Sequence, residues 1–177
     1  MREMEKYVKE LVEYLMVTAQ TAPKGRGEDS LVMKVLYGEE KEKLASAMFT
    51  LAEKTGKKRY ARDGENLRQS DAVLLIGVKR HKAMGFDCMA CGFGCKGFDE
   101  ANTGSGDFEG PNCAFKLIDL GIAIGSAVKN ASIFGLDCRV MYTIGVAAKA
   151  ENLLDATVII GIPFSAHAKS PYFDRKV

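Results

Sequence analysis

The chain has 177 residues, 47% of them hydrophobic, which fits one compact domain, residues 1–177, and excludes a disordered chain. Lys and Arg total 25 against 23 Asp and Glu, a net charge of +2, which excludes nucleic-acid binding driven by bulk electrostatics. The charged start, Met1-Arg2-Glu3-Met4-Glu5-Lys6, has no apolar signal core and no apolar run is long enough to span lipid, so a cytoplasmic protein without membrane contact is expected.

Met4, Val8, Leu11, Leu15 and Ala19 recur at steps of three and four, and residues 2–20 read as an amphipathic helix. Pro23 disfavours helix at Ala22, and Gly25 and Gly27 loosen the chain beyond it. Residues 31–37 read as a strand closed by Gly38, and 39–55 return to helical period through Leu44, Met48 and Leu51. Residues 56–70 are basic and polar and read as loop with a short helix. Ala72-Val73-Leu74-Leu75-Ile76-Gly77-Val78 is apolar on both faces, the pattern of a central strand.

Residues 80–112 carry seven glycines and no regular period. A loop of that length inside a compact domain needs a function or a staple. Residues 113–134 are apolar almost all round and read as a largely buried helix, with Gly121 and Gly125 one turn apart and Gly135 as its left-handed cap. Residues 139–143 and 157–161 read as strands with a short helix near 146–153 between them. The polar tail from Ser165 has to dock on something to be ordered.

The staple is visible in the spacing Cys88-x2-Cys91-x3-Cys95-x17-Cys113. A disulfide joins two sulfurs; three clustered thiols and a fourth downstream fit a metal or an iron–sulfur cluster better, above all in a reducing compartment. The soft donors admit an iron–sulfur cluster such as 4Fe-4S, structural zinc, or a redox-active Cys88–Cys91 pair. The run differs from the bacterial ferredoxin order C-x2-C-x2-C-x3-C-P, and no proline follows Cys95 or Cys113. Cys113 stands where the long helix begins, a place that favours a thiolate. Cys138 lies in an apolar context and reads as a small buried hydrophobe. His81 and His167 have no partner motif, and Arg62-Asp63 reads as a surface ion pair.

Several segments carry a resemblance. The order of elements is similar to the flavin-dependent nitroreductase fold. Thr21-Ala22-Pro23-Lys24-Gly25 resembles the Ala-Pro-Ser loop that lines the flavin in that family. Ala131-Ser132-Ile133-Phe134-Gly135-Leu136 resembles its helix end, and Gly161-Ile162-Pro163 with Lys169 and Arg175 resembles its last strand and basic tail. With the cysteine motif and the Pro-Tyr-Phe-Asp-Arg ending, nearly the whole chain resembles the uncharacterised ferredoxin-domain proteins of bacteria and archaea, which look like trimmed nitroreductases with a cysteine insert.

The resemblance implies an α+β three-layer sandwich, an antiparallel-rich sheet flanked by helices, with 80–113 as a Cys-rich metal-binding insert. It implies a homodimer with FMN at the interface. Lys24, Gly25 and Arg26 match the flavin-facing loop, Thr143 and Gly145 the approach to the ring, and Lys169 and Arg175 the tail that reaches the flavin phosphate. Lys-Gly-Arg-Gly stands where relatives have Ser and Asn. The expected function is a redox protein passing electrons between a cluster at Cys88, Cys91, Cys95 and Cys113 and bound FMN, and on to a small-molecule acceptor or a redox partner protein, as an FMN-dependent oxidoreductase. The alternative is a flavin-free binding or scaffold module braced by zinc; a thiol-redox or metal-delivery protein is a third reading.

Overall fold

A computed structural model describes residues 3–173, so Arg175 lies outside the described residues. Helix α1 (Glu3–Gln20) buries the stripe Val8, Val12, Leu15 and Ala19. Strand β1 (Leu31–Tyr37) leads into α2 (Gly38–Thr55), which ends at Gly56 in the left-handed conformation with its N–H on Ala52 O at 2.9 Å. Helix α3 (Lys58–Gln69) and strand β2 (Ala72–Val78) come next, and every residue of β2 is buried. Short elements interrupt the next segment: α4 (Cys95–Glu100) and a hairpin of β3 (Gly104–Ser105) and β4 (Glu109–Gly110). The long helix α5 (Ala114–Ile133), β5 (Asp137–Cys138), α6 (Tyr142–Ala150) and β6 (Val158–Ser165) complete the chain.

The sheet has the order β1-β2-β6-β5 and every neighbouring pair is antiparallel. Alternation along its strands separates two cores. Ala72, Leu74, Ile76 and Val78 of β2, with Ile162 and Phe164 of β6, pack under α1 and α5. Val73, Leu75 and Ile159 face the other way, against α2, α3 and α6. The result is the expected α+β sandwich of three layers. Among the described residues no helix is long and apolar enough to cross a membrane.

Two expectations for local structure are corrected. Residues 58–69 form a full helix: Tyr60, Asp63, Gly64 and Leu67 are buried at helical spacing, although the basic surface around them hides the stripe. The strand expected over 139–143 is instead a single bridge from Met141 to Gly161 with α6 directly after it. Ile144, Ala147 and Ala148 sit on one face of that helix and pack on the sheet. The approach is close because both surfaces carry glycine: a Cβ on Gly145 would lie 1.7 Å from Ile159 O, and one on Gly161 2.1 Å from Ile144 Cγ2.

Candidate metal centre

The cysteine segment leaves the sheet at Val78 and returns at the start of α5. Left-handed backbone at Gly85 (φ 75°), Asp87 (49°), Met89 (59°) and Gly92 (83°) coils it tightly. Only glycine adopts that conformation freely, so Asp87 and Met89 need local contacts to hold it. Asp87 has them: its Oδ1 accepts the Cys95 N–H at 2.8 Å, and its own N–H donates to Cys95 Sγ at 3.1 Å. The carboxylate thereby caps α4, and Gly94 is bound to stay small, since a Cβ there would lie 2.9 Å from Asp87 Oδ1. The Gly92 N–H donates to Met89 O at 2.9 Å, turning the chain between Cys88 and Cys91.

The five cysteines are free thiols. Cys88 is exposed, Cys91 and Cys95 are half-buried and Cys113 is buried. Cys91 packs against a small apolar cluster of Met84, Phe98 and Cys113. Cys113 caps α5, accepting the Lys116 and Leu117 N–H groups at its carbonyl, while its own N–H donates to His81 Nε2 at 3.0 Å. His81 Nδ1 in turn faces Lys79 O at 2.9 Å, so the neutral ring carries its proton on Nδ1. Burial, aided by Lys116 and Arg80 nearby, holds His81 below its usual range. The ring also stacks on Phe98 at 5.8 Å. The contacts of His81 with Cys113 and Phe98 are not legible in its sequence neighbourhood.

Among the described residues, no three His, Cys, Asp or Glu groups stand close enough to hold a metal ion. One coiled loop and the helix it runs into carry all four sulfurs, with Cys91 and Cys113 in a shared cluster, but they do not form a closed cage. The donor set itself fits a metal or cluster: four soft sulfurs, one already receiving a backbone N–H, on a backbone that glycines let coil closely. Cys138 sits half-buried in β5, and burial, with Asp137 adjacent, pushes its thiol up, as suits a packing residue.

The far end of the segment is fastened to the body of the protein. Glu109 pairs with Arg80 at 3.0 Å and Lys149 at 2.7 Å, and Asn112 accepts from Thr157 Oγ1 at 2.6 Å. The Tyr142 hydroxyl donates to Asp107, and burial together with that bond pushes it up to about 12.

The residues expected to face a flavin are distributed differently. The Lys24 ammonium donates to Ala19 O and Ala22 O at 2.9 Å and also to Gln20 O, capping α1. The Gly25 N–H donates to Asp119 Oδ1 at 2.9 Å. Arg26 reaches Met84 O at 2.8 Å and lies over the Phe86 ring, tying this loop to the cysteine segment. Thr143 is buried on the opposite side of the sheet, donating to Asp63 Oδ2 at 2.6 Å, and Arg62 holds the other oxygen at 2.7 Å. The expected Arg62-Asp63 ion pair is therefore present, but its carboxylate is buried and structural. Gly145 is filled by Ile159. Lys169 lines a polar cavity of about 410 Å³ between α3 and the tail, beside His167, whose Nε2 meets Asp71 Oδ1 at 3.2 Å. Lys24–Arg26 and Thr143–Gly145 thus lie on opposite faces of the sheet, and within one copy of the chain these residues do not form one flavin cradle.

Comparison with known proteins places this geometry. A family model described as "Uncharacterized protein containing a ferredoxin domain" matches residues 109–175, which include Cys113 but not the other three loop cysteines. An uncharacterized protein of Archaeoglobus fulgidus is 51% identical over 159 residues, covering 89% of this chain and 86% of its own. Among solved structures, the FMN-dependent nitroreductase NfnB from Mycobacterium smegmatis, in complex with NADPH, has a TM-score of 0.59 at 14% identity, covering 92% of this chain and 80% of its own. A putative nitroreductase in complex with FMN from Desulfovibrio desulfuricans gives 0.58 at 15% identity, covering 95% and 79%. At such identities the likeness establishes the nitroreductase fold alone.

Proposed function

Because the chain belongs to the family of uncharacterized proteins containing a ferredoxin domain, we propose that it is a redox protein whose electron-carrying centre is held by Cys88, Cys91, Cys95 and Cys113. In this reading residues 1–177 act as one domain and 80–113 are its metal-binding insert. The observation that carries it is the loop itself: left-handed residues coil the segment on which three of the cysteines lie, and its end leads to Cys113 at the head of α5. An iron–sulfur cluster bound there supplies one-electron chemistry.

The protein's own groups have definite tasks. The Asp87 N–H donates to Cys95 Sγ and fixes the position of that sulfur in the loop. His81 fixes the Cys113 backbone. Arg26, Phe86 and Phe115 brace the loop from the side of α1 and α5, with the two rings edge to face at 5.1 Å. The expected flavin contacts do not converge in one copy, so no step is assigned to FMN. Self-association belongs to the same reading: Ile118, Gly121, Ile122 and Gly125 form an exposed ridge at helical spacing on α5, the isoleucines 51% and 40% accessible.

The test is metal and sulfide analysis of anaerobically purified protein, with visible and EPR spectra before and after dithionite. Equal iron and acid-labile sulfide, a brown absorption that bleaches and an EPR signal on reduction are expected, and Cys91→Ser should lose them while the sheet stays folded. Zinc without iron would replace the redox reading by a structural metal site, and flavin bands would restore FMN to it.

A further inference from the structure

Immediately after β2 the sequence runs Lys79-Arg80-His81-Lys82, a local concentration of positive charge in a chain whose net charge is only +2. This run is held in place along its length. The Lys79 N–H donates to Ser30 O at 2.8 Å, both ring nitrogens of His81 are bonded, and the Ala83 N–H donates to Asp99 Oδ1 at 2.9 Å. Between the run and residues 28–30 opens a cavity of about 340 Å³. A second, of about 310 Å³, lies on the side of α4 and shares Arg80, His81 and Lys82 as its wall.

The first cavity is built like an anion site. The Ser30 hydroxyl oxygen is shielded from solvent and has no hydrogen-bond partner, so a donor is left over at the wall. Lys116, 2% exposed, also lines it; its ammonium donates to Glu28 O at 2.7 Å, stands 3.8 Å from Asp119 Oδ2, and has three donors to distribute. Two carboxylates, Glu28 and Asp29, share the lining. Asp29 is engaged by Gln20 and by the Leu31 N–H at 2.9 Å. Arg80 is paired with Glu109, whereas Lys79 and Lys82 have no ion pair among the described residues. The cavity thus retains two cations outside any ion pair, of which Lys79 stands near enough to Asp29 to act on its carboxylate, together with a buried ammonium and an unused hydroxyl.

We propose that this cavity binds a small molecule carrying a compact oxyanion, a carboxylate or a phosphate ester, as the anionic substrate of the neighbouring cysteine centre. A flat acidic protein surface would meet Lys79 and Lys82 but would leave Ser30 and Lys116 unused, which favours a small ligand. The assignment as substrate rests on the redox reading given above, because His81 connects this cavity to the Cys113 backbone. The binding itself does not.

The experiment is calorimetric titration of the purified full-length chain at low ionic strength with inorganic pyrophosphate and, separately, with citrate. One site per chain is expected, with the stronger of the two ligands identifying the oxyanion. The double variant Lys79→Gln/Lys82→Gln should weaken binding at least tenfold and Ser30→Ala several-fold. The control Lys57→Gln/Lys58→Gln, at the start of α3, should leave it unchanged, with circular dichroism confirming the fold of each. Weak binding at many sites, or equal loss in the control, would overturn the proposal as general attraction to lysines. Iron is assayed on the same preparations: iron retained without anion binding removes this inference alone, and anion binding without iron removes the redox reading and with it the role as substrate, leaving the binding site itself.

Discussion

A methyl group added at Gly145 would occupy the space of the Ile159 carbonyl, 1.7 Å away, and no rotamer change can relieve a clash with backbone. Gly145→Ala should therefore force α6 off the sheet and destabilise the protein by about 3 kcal/mol, the upper range of overpacking, as read by denaturant unfolding. A change of less than about 1 kcal/mol would mean that α6 does not pack at this depth. Thiol reactivity separates the cysteines at the same scale. In metal-free protein, Cys88, exposed, should be alkylated first, and Cys113 and Cys138 last, one buried and the other with its thiol pushed up by burial. Mass mapping of a timed iodoacetamide reaction reads the order, and early labelling of Cys113 would contradict its place in the apolar cluster. The cysteine spacing was legible at once, because thiol chemistry is carried by residue type. The work of Lys24 was not: a lysine in a glycine loop reads as a phosphate ligand, and only the fold shows that three carbonyls at the end of α1 have already engaged it.

Elements with a strong apolar period were legible nearly to the residue. The strands at 31–37 and 72–78 and the helices expected over 2–20, 39–55 and 113–134 all form within two residues of those bounds. The two misses have different physical causes. Helix α3 buries only Tyr60, Asp63, Gly64 and Leu67, two of which are not apolar, so its stripe is invisible to a hydropathy reading. Helix α6 begins inside a β-like alternation because tertiary packing on glycine outweighs local propensity. The cysteine segment is fastened by Glu109, whose carboxyl is held below its ordinary value near 4.5 chiefly by the Lys149 hydrogen bond. Since its folded value is lowered, the stabilisation is present above that ordinary value and is lost as pH falls through the lower one. Glu109 is only part-shielded, so Glu109→Gln should cost about 0.5–1 kcal/mol at neutral pH and reduce the loss of stability on acidification below about pH 4.5. Urea unfolding at both pH values measures it; an unchanged acid dependence would assign the effect to another carboxylate.

For the whole molecule, the three layers arise from alternation in β2 and β6, which divides their side chains between two cores. That division was implicit in the sequence, but the distribution of Lys24–Arg26 and Thr143–Gly145 to opposite faces was not, because it depends on which helix crosses to which side. The exposed ridge on α5 makes a prediction at this scale. Sedimentation should show more than one copy per particle, and Ile118→Asp with Ile122→Asp should yield single copies that remain folded. A wild-type chain that already sediments as a single copy would remove self-association from the proposed function.

The strand order β1-β2-β6-β5 has one more consequence. The cysteine segment joins β2 to α5, yet β2 and β6 are bonded side by side over the full register from Ala72–Phe164 to Val78–Val158. A protease that cuts within the segment would leave two pieces still joined through the middle of the sheet, with α1 of the first piece packed on α5 of the second. Such a nick would be silent in native chromatography and visible only after denaturation. It also makes the protein a candidate for assembly from two separately synthesised halves, with the cysteines of the loop divided between them at will.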